Sequence, residues 1–224
     1  MYIDNVLESS IGSVTMQFFA QRILVALFGD ISLSDRIGVA QSLNKAAKNL
    51  FSGEQTILPI PDDAPPEIPR IILGSKDKIF SCHVSPRRLE FSLEQKKGEN
   101  KRLKEVQDEF LSQLANIAHV VKKELGVKVE RIGIVVNSAM FPEEPSVDFL
   151  TKKFLRSGTI MDPRELNLNF LHKLTLGGFK VNRWHRFRCL SPEGKETLEA
   201  ANALLITTDV NTILEIKYDF SVEQ

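Results

Sequence analysis

Residues 70–94 constrain the fold more than any other stretch of this chain, because three short β-type runs follow one another there. The runs are 71–73, 79–84 and 89–93. In the third run apolar and polar residues alternate, and a period of two is typical of a strand that is buried on one face only. Ser75-Lys76-Asp77 and Ser85-Pro86-Arg87 are turn-forming sequences between the runs. The segment is therefore predicted to be an antiparallel meander.

Helix and strand patterns surround this meander in the first part of the chain. A bulged, central strand is predicted over 14–28, followed by an amphipathic helix with its N-cap at Ser34 and its stop at Gly53. The proline-rich, acidic stretch 59–69 is predicted to be an extended surface connector. A longer helix is predicted over 101–125, because one apolar stripe runs along it. A further strand is predicted over 127–136.

The composition changes at 140–145, which is the best candidate for an internal boundary. A short helix is predicted over 147–155, a β-hairpin over 166–190 and a last strand over 201–210, with the pattern of a new helix start in the final residues 219–224. The predicted fold class is α+β, with antiparallel or mixed β-sheets in two lobes, each packed against one or more helices. The lobes would be residues 1–140 and 141–224, or the two would form one continuous domain.

Composition and the absence of known motifs make several classes of function less favoured. Basic and acidic residues both number 29, so the formal net charge is zero and does not steer the chain toward nucleic acid or anionic membranes. We expect a cytoplasmic protein with no membrane association, since the N-terminus does not have the pattern of a signal peptide and no apolar run reaches membrane-spanning length. The two cysteines, Cys82 and Cys189, fall in predicted strands and are expected to be buried free thiols. No metal or cofactor motif occurs, so no cofactor is expected and enzyme activity is disfavoured.

The predicted hairpin brings polar residues onto an otherwise apolar face. If Gly177-Gly178 forms a two-residue turn, paired residue numbers sum to about 355, so His172 faces Arg183 and Phe170 faces His185. Buried polar groups require partners, so His172, Arg183 and His185 must be hydrogen-bonded or line a cavity. They could be a satisfied polar cluster, a pocket for an anionic ligand, or a catalytic group that lacks an obvious nucleophile.

The other face of the hairpin is basic and carries one tryptophan. Its candidate residues are Lys173, Lys180, Asn182, Trp184, Arg186 and Arg188, with Asn167 and Asn169 beside them. Lysine and arginine bind phosphates, asparagine bonds to sugar or base edges, and tryptophan stacks on bases. The same set fits a protein interface anchored by Trp184 or a plain solvated surface.

The order of these elements resembles a sporadically distributed family of uncharacterised bacterial proteins of about this length. The resemblance rests on "PRIILGSKDKIFSCHVSPRRLEF", "LKEVQDEFLSQL", "ERIGIVVN" and "LLITTDV", and it extends from about Met16 to Val210. It implies the fold and a bacterial cytoplasmic setting, and it brings no activity, cofactor or catalytic residue.

From these observations we expect a non-enzymatic binding or assembly module that acts through protein–protein contacts. Self-association or a partner complex would form at exposed sheet edges, since strands are abundant and site motifs are absent. The alternatives are a nucleic-acid-binding module that uses the basic hairpin face, and an enzyme of unrecognised type with a His/Arg pocket.

Overall fold

The computed structural model describes residues 17–220, except for 97, 100, 156–164, 190–202, 215, 217 and 219. Nine strands and three helices are formed by the described residues. In chain order they are β1 (Phe19–Phe28), α1 (Arg36–Ala46), β2 (Gln55–Ile57), β3 (Ile71–Gly74), β4 (Phe80–Ser85), β5 (Arg88–Glu94), α2 (Leu103–Lys123), β6 (Arg131–Met140), α3 (Ser146–Phe154), β7 (Asn167–Leu176), β8 (Phe179–Cys189) and β9 (Leu204–Thr212).

All nine strands belong to a single antiparallel sheet with the order β2-β3-β4-β5-β1-β6-β9-β8-β7. The chain runs twice through the same arrangement. A first strand, β1 or β6, is followed by a helix and then by a meander whose last strand, β5 or β9, returns beside the first. Because β1 and β6 pair with each other, the two halves meet at the centre of the sheet.

All three helices pack on the same face of this sheet. Side chains two residues apart on a strand share a face, so Val136 and Ser138 of β6 lie on one side. Val136 pairs with Ile23 of the first core cluster, and Ser138 pairs with Ile206 of the second. The first cluster packs against α1 and α2, and the second packs against α3. The opposite face therefore has no helix among the described residues.

Aromatic stacking marks the centre of the first cluster. Phe91 of β5 is fully buried, and its ring centroid lies 4.9 Å from that of Phe110 on α2. Phe51 and Phe80 contact the same ring, at 6.3 Å and 5.8 Å between centroids. The predicted stripe of the long helix thus faces the sheet, and α2 covers the N-terminal strands.

Several predictions from the sequence are confirmed by these elements. The meander forms as β3, β4 and β5, and the hairpin forms as β7 and β8 with the predicted pairing. β1 lies at the sheet centre and carries a bulge between Ala20 and Arg22. Both cysteines are free and buried. No helix in the described part of the chain is long and apolar enough to cross a bilayer.

Other predictions need correction. The N-cap of α1 is Asp35 rather than Ser34, because the Asp35 carboxylate accepts a 2.8 Å bond from the Gly38 amide. α1 also ends at Ala46, several residues before Gly53. β6 begins at Arg131 rather than at 127 and continues to Met140, because β9 pairs with it up to that residue.

The strands were expected in separate sheets of two lobes, and they instead form one sheet. Pairing of β6 with both β1 and β9 joins the two sides of the predicted boundary, so a two-lobe arrangement is not confirmed. Some predicted features fall on residues that are not described: the strand start at 14–16, the breakers at 157–158 and 162–163, the hairpin end at 190, the turn at 191–194, the strand start at 201–202 and most of the helix start at 219–224.

Candidate functional site

The β7–β8 hairpin positions all of the predicted site residues. Gly177 and Gly178 both have positive φ values, 54° and 86°, which a two-residue turn of the favoured hairpin type requires. The resulting register pairs His172 with Arg183 and Phe170 with His185. The candidate residues are therefore divided between two faces, and each face has a different environment.

His172, Arg183 and His185 lie on the helix side of the sheet. The His185 side chain is buried, and its Nδ1 lies 3.1 Å from the Thr208 hydroxyl oxygen of β9. The imidazole rings of His172 and His185 have centroids 6.0 Å apart. Arg183 Nε is buried and has no hydrogen-bond partner among the described residues. The structure thus brings the three residues together. The His172 side chain is exposed, and the Arg183 side chain is left with one nitrogen that makes no hydrogen bond among the described residues.

Burial dominates the electrostatics of this cluster. Desolvation, followed by the nearby charges of Arg183 and His172, lowers the pKa of His185 to about 4. Desolvation also lowers the pKa of Arg183. His185 is consequently neutral near pH 7 and can share a hydrogen bond with Thr208. In the described part of the chain, no carboxylate or thiol hydrogen-bonds to these three side chains, so the cluster offers cationic and neutral donors to an anion and lacks an assigned nucleophile.

The opposite, helix-free side of β6, β9, β8 and β7 is hereafter called the open face. One row of neighbouring residues crosses it as Asn137, Thr207, Arg186 and Asn169. Within this row the Thr207 hydroxyl donates a 2.9 Å bond to Asn137 Oδ1. The next row consists of Val135, Asp209, Trp184 and Leu171. A polar row and a largely apolar row therefore run side by side across the open face.

A cleft of about 520 Å³ lies along the polar row. Its polar lining residues are Gln21, Asn137, Ser138, Asn167, Asn169, Arg186, Arg188 and Thr207. None of the lining residues is acidic, and the two arginines and the amide side chains are hydrogen-bond donors. The cleft can therefore bind a polar or anionic group.

Asp209 also belongs to this candidate site, although no pattern in the sequence pointed to it. Its carboxylate accepts bonds from the Arg186 guanidinium at 3.3 Å and 3.4 Å, and from the Asn211 amide. Arg186 also lies over the Trp184 ring, 5.6 Å from its centroid. The ion pair is partly exposed and adds little stability, but it holds Arg186 between the cleft and the tryptophan. The alternation in 204–210 places Asp209 on the face opposite Leu204 and Ile206, but the strand that pairs with this segment could not be predicted from the sequence.

The basic residues of the open face are not all brought together. Arg186 and Arg188 line the cleft, whereas Lys173 and Asn182 pair with each other three rows from Arg188 and Asn167, toward the hairpin turn. Lys180 lies next to the turn, where its backbone carbonyl accepts a 2.8 Å bond from the Tyr218 hydroxyl. The predicted basic surface is thus divided into a cleft and separate flanking charges.

The outer edge of β7 is the second candidate surface. The Cys189 amide donates to the Leu166 carbonyl, and these residues extend the register of the hairpin. Even-numbered residues of β7 therefore bond to β8, and the amides and carbonyls of the odd-numbered residues point outward. β7 has ten residues, whereas the strand at the other sheet edge, β2, has three. Leu171, in the middle of β7, is 43% exposed.

No cluster of three or more metal-binding side chains occurs in the described part of the chain. A smaller groove of about 250 Å³ lies between α1 and α2, and its lining includes Lys45, His119 and Glu124. His119 is exposed there, off the apolar stripe of α2.

No protein-family model matches this chain, and no curated protein matches it. The resemblance to a bacterial family therefore stays a prediction, and function has to be inferred from the geometry.

Proposed function

We propose that this protein is a non-enzymatic binding or assembly module that acts through protein–protein contacts of its β7–β9 strands. One observation carries the proposal: in the described part of the chain the three helices all lie on one side of the sheet, so no helix covers the open face, and β7 is the last strand of the sheet. Long edges and unpartnered faces are the surfaces that proteins use to add a strand or dock a partner.

The side chains of this surface also suit a protein partner. Trp184 and Leu171 are directly opposite each other on neighbouring strands and form an apolar centre. Arg186 and Lys173 provide a charged rim around it. Tryptophan and arginine are enriched among the residues that dominate binding energy at interfaces.

The biological setting of the proposal comes from the family resemblance alone. It suggests a component of a bacterial cytoplasmic system, and it adds no activity, partner or functional residue to the proposal.

The proposal can be tested by affinity capture and light scattering with wild type and Trp184→Ala. We expect wild type to form a larger assembly or a partner complex, and Trp184→Ala to weaken it at least about tenfold, as truncation of a central aromatic does. Ile37→Ala is a matched control, because Ile37 is exposed on α1 on the helix side. A strictly monomeric wild type without a Trp184-dependent partner contradicts the proposal.

A second candidate function is nucleic-acid binding in the cleft. The observation that favours it is the cleft lining, which contains Arg186 and Arg188 and no acidic residue. Two arginines could bind phosphates, the asparagines could bond to sugars or bases, and Trp184 could stack on a base.

Binding of labelled single-stranded RNA and DNA at two salt concentrations tests this candidate. We expect binding to weaken with salt and Arg186→Glu/Arg188→Glu to abolish it. The matched control is Lys104→Glu/Lys123→Glu on α2, which makes the same change of charge on exposed residues of the helix side. Absence of binding at low salt, or equal binding by both variants, removes the candidate.

An enzyme with a pocket at His172, Arg183 and His185 ranks third. Its support is the convergence of the three side chains, with the buried, unpartnered Arg183 Nε as a possible contact for an anionic substrate.

A further inference from the structure

We infer that two copies of this chain pair through their β7 edges, antiparallel, about a two-fold axis that passes through Leu171. The inference rests on the proposed assembly function and specifies its surface, its partner and its register. The partner is a second copy of the chain, and the product is one sheet that continues from one copy into the other.

The outer edge of β7 has backbone hydrogen-bonding groups that a second strand can pair with. Because the even-numbered residues bond to β8, the odd-numbered residues direct their backbone amides and carbonyls away from β8. We call these outward residues, and they are Asn167, Asn169, Leu171, Lys173 and Thr175. In an antiparallel pair only outward residues can exchange bonds with outward residues. Each such pair exchanges two bonds, so five facing pairs would add about ten backbone hydrogen bonds.

Few registers satisfy this condition, and they differ in which side chains face each other. With the axis at Leu171, residues 167–175 of each copy overlap, and Lys173 faces Asn169 of the second copy. An axis at Lys173 would place two like charges directly opposite each other, which is destabilising. An axis at Asn169 would leave only 167–171 of the strand in the overlap. An axis at His172 keeps the length of the overlap, but it places Leu171 opposite Lys173 of the second copy instead of opposite another leucine.

The side-chain contacts favour the Leu171 axis on both faces of the sheet. On the open face Trp184 is beside Leu171, so the row in the dimer would be Trp184, Leu171, then Leu171 and Trp184 of the second copy. A continuous apolar strip forms only in the dimer, and it covers a leucine that is 43% exposed in one copy. On the helix side Leu168 would face Leu174 of the second copy.

The pairing also changes the cleft. Asn169 lines the cleft, and Lys173 of the second copy would lie directly opposite it across the new pair of strands. Each cleft therefore gains one positive charge from the other copy. The dimer would present two such clefts on the same face, on either side of the apolar strip.

Engineered cysteines test the register directly. Facing residues in a bonded antiparallel pair have Cα atoms about 5.5 Å apart, within the range that a disulfide spans. Under mild oxidation we expect Leu171→Cys to form a disulfide-linked dimer. Lys173→Cys and Asn169→Cys should each stay unlinked alone, and should link when mixed. The native Cys82 and Cys189 are buried and do not compete.

The outcomes distinguish the inference from the function on which it rests. Linkage of Leu171→Cys at least about tenfold above Lys173→Cys supports the register, since like residues at 173 would be on the order of 14 Å apart. Equal linkage of both variants, or linkage of neither in a wild-type dimer, overturns the register and leaves assembly standing. A monomeric wild type that still binds a partner through Trp184 overturns the dimer alone. A monomer without such a partner overturns both.

Discussion

At the scale of single residues, His185 shows how burial determines chemistry on the helix side of the hairpin. It is 8% exposed, its hydrogen bond goes to Thr208, and Arg183 and His172 lie close by. Desolvation is the largest cause that disfavours the protonated imidazole, followed by the nearby Arg183 and His172. Protonation of the His185 imidazole therefore destabilises the folded chain.

This opposition predicts that stability falls as the solution becomes acidic. The pKa of His185 is about 4 in the folded chain and 6.5 as the ordinary value, so between these pH values the unfolded chain binds a proton that the folded chain does not. The contribution of neutral His185 to the free energy of unfolding is therefore present above pH 6.5 and is lost as the pH falls toward 4. Between pH 7 and pH 5 we expect a loss on the order of 2 kcal/mol.

Urea unfolding at pH 7 and pH 5 measures this effect. The difference between the two pH values should shrink in His185→Gln and persist in His119→Gln, which alters an exposed residue of α2. An unchanged pH dependence in His185→Gln would mean that other groups cause it.

At the scale of elements, α2 is the helix that holds the N-terminal strands together. Phe110 is 1% exposed and stacks on Phe91, whereas the next residue, Leu111, is 45% exposed. We expect Phe110→Ala to lower the free energy of unfolding by about 3–5 kcal/mol, because it removes a buried ring and leaves a cavity. Leu111→Ala is the control in the same helix and should change stability by less than about 1 kcal/mol. Equal effects in denaturant unfolding would contradict the packing of α2.

Helices and strands could be predicted from the sequence wherever a local pattern of residues determines them. Alternation in 89–93 and the Gly177-Gly178 turn determine strands and register, and the apolar stripe of α2 determines its buried face. The N-cap was predicted wrongly, because Ser34 and Asp35 can both cap a helix and only the bond to Gly38 distinguishes them.

Long-range pairing could not be predicted in this way. Nothing local indicates that β6 pairs with both β1 and β9, and this pairing is what makes one sheet. The role of Asp209 depends on that pairing too, since only β9 beside β8 brings its carboxylate to Arg186. Arg70 is a similar case: it is 1% exposed, and its guanidinium bonds to carbonyls of Pro61, Ala64 and Ile68, so the predicted surface connector folds around a buried cation.

At the scale of the whole molecule, the sheet has two unequal sides and two unequal edges. One side is covered by the three helices and one is open in the described part of the chain. One edge is the three-residue β2 and the other is the ten-residue β7. This asymmetry concentrates the exposed backbone groups, Trp184 and the cleft in one region, and for this reason we propose that the protein binds through β7 and the open face.

Residue-resolved hydrogen exchange along β7 tests that claim most directly, at low and at high protein concentration. In dilute solution the amides of Asn169, Leu171 and Lys173 should exchange fast, and those of Phe170 and His172 slowly, because only the latter bond to β8. At high concentration we expect the three fast amides to become protected while the exchange of the other two stays slow. Fast exchange of Asn169, Leu171 and Lys173 at every concentration, and also with any captured partner present, would contradict it.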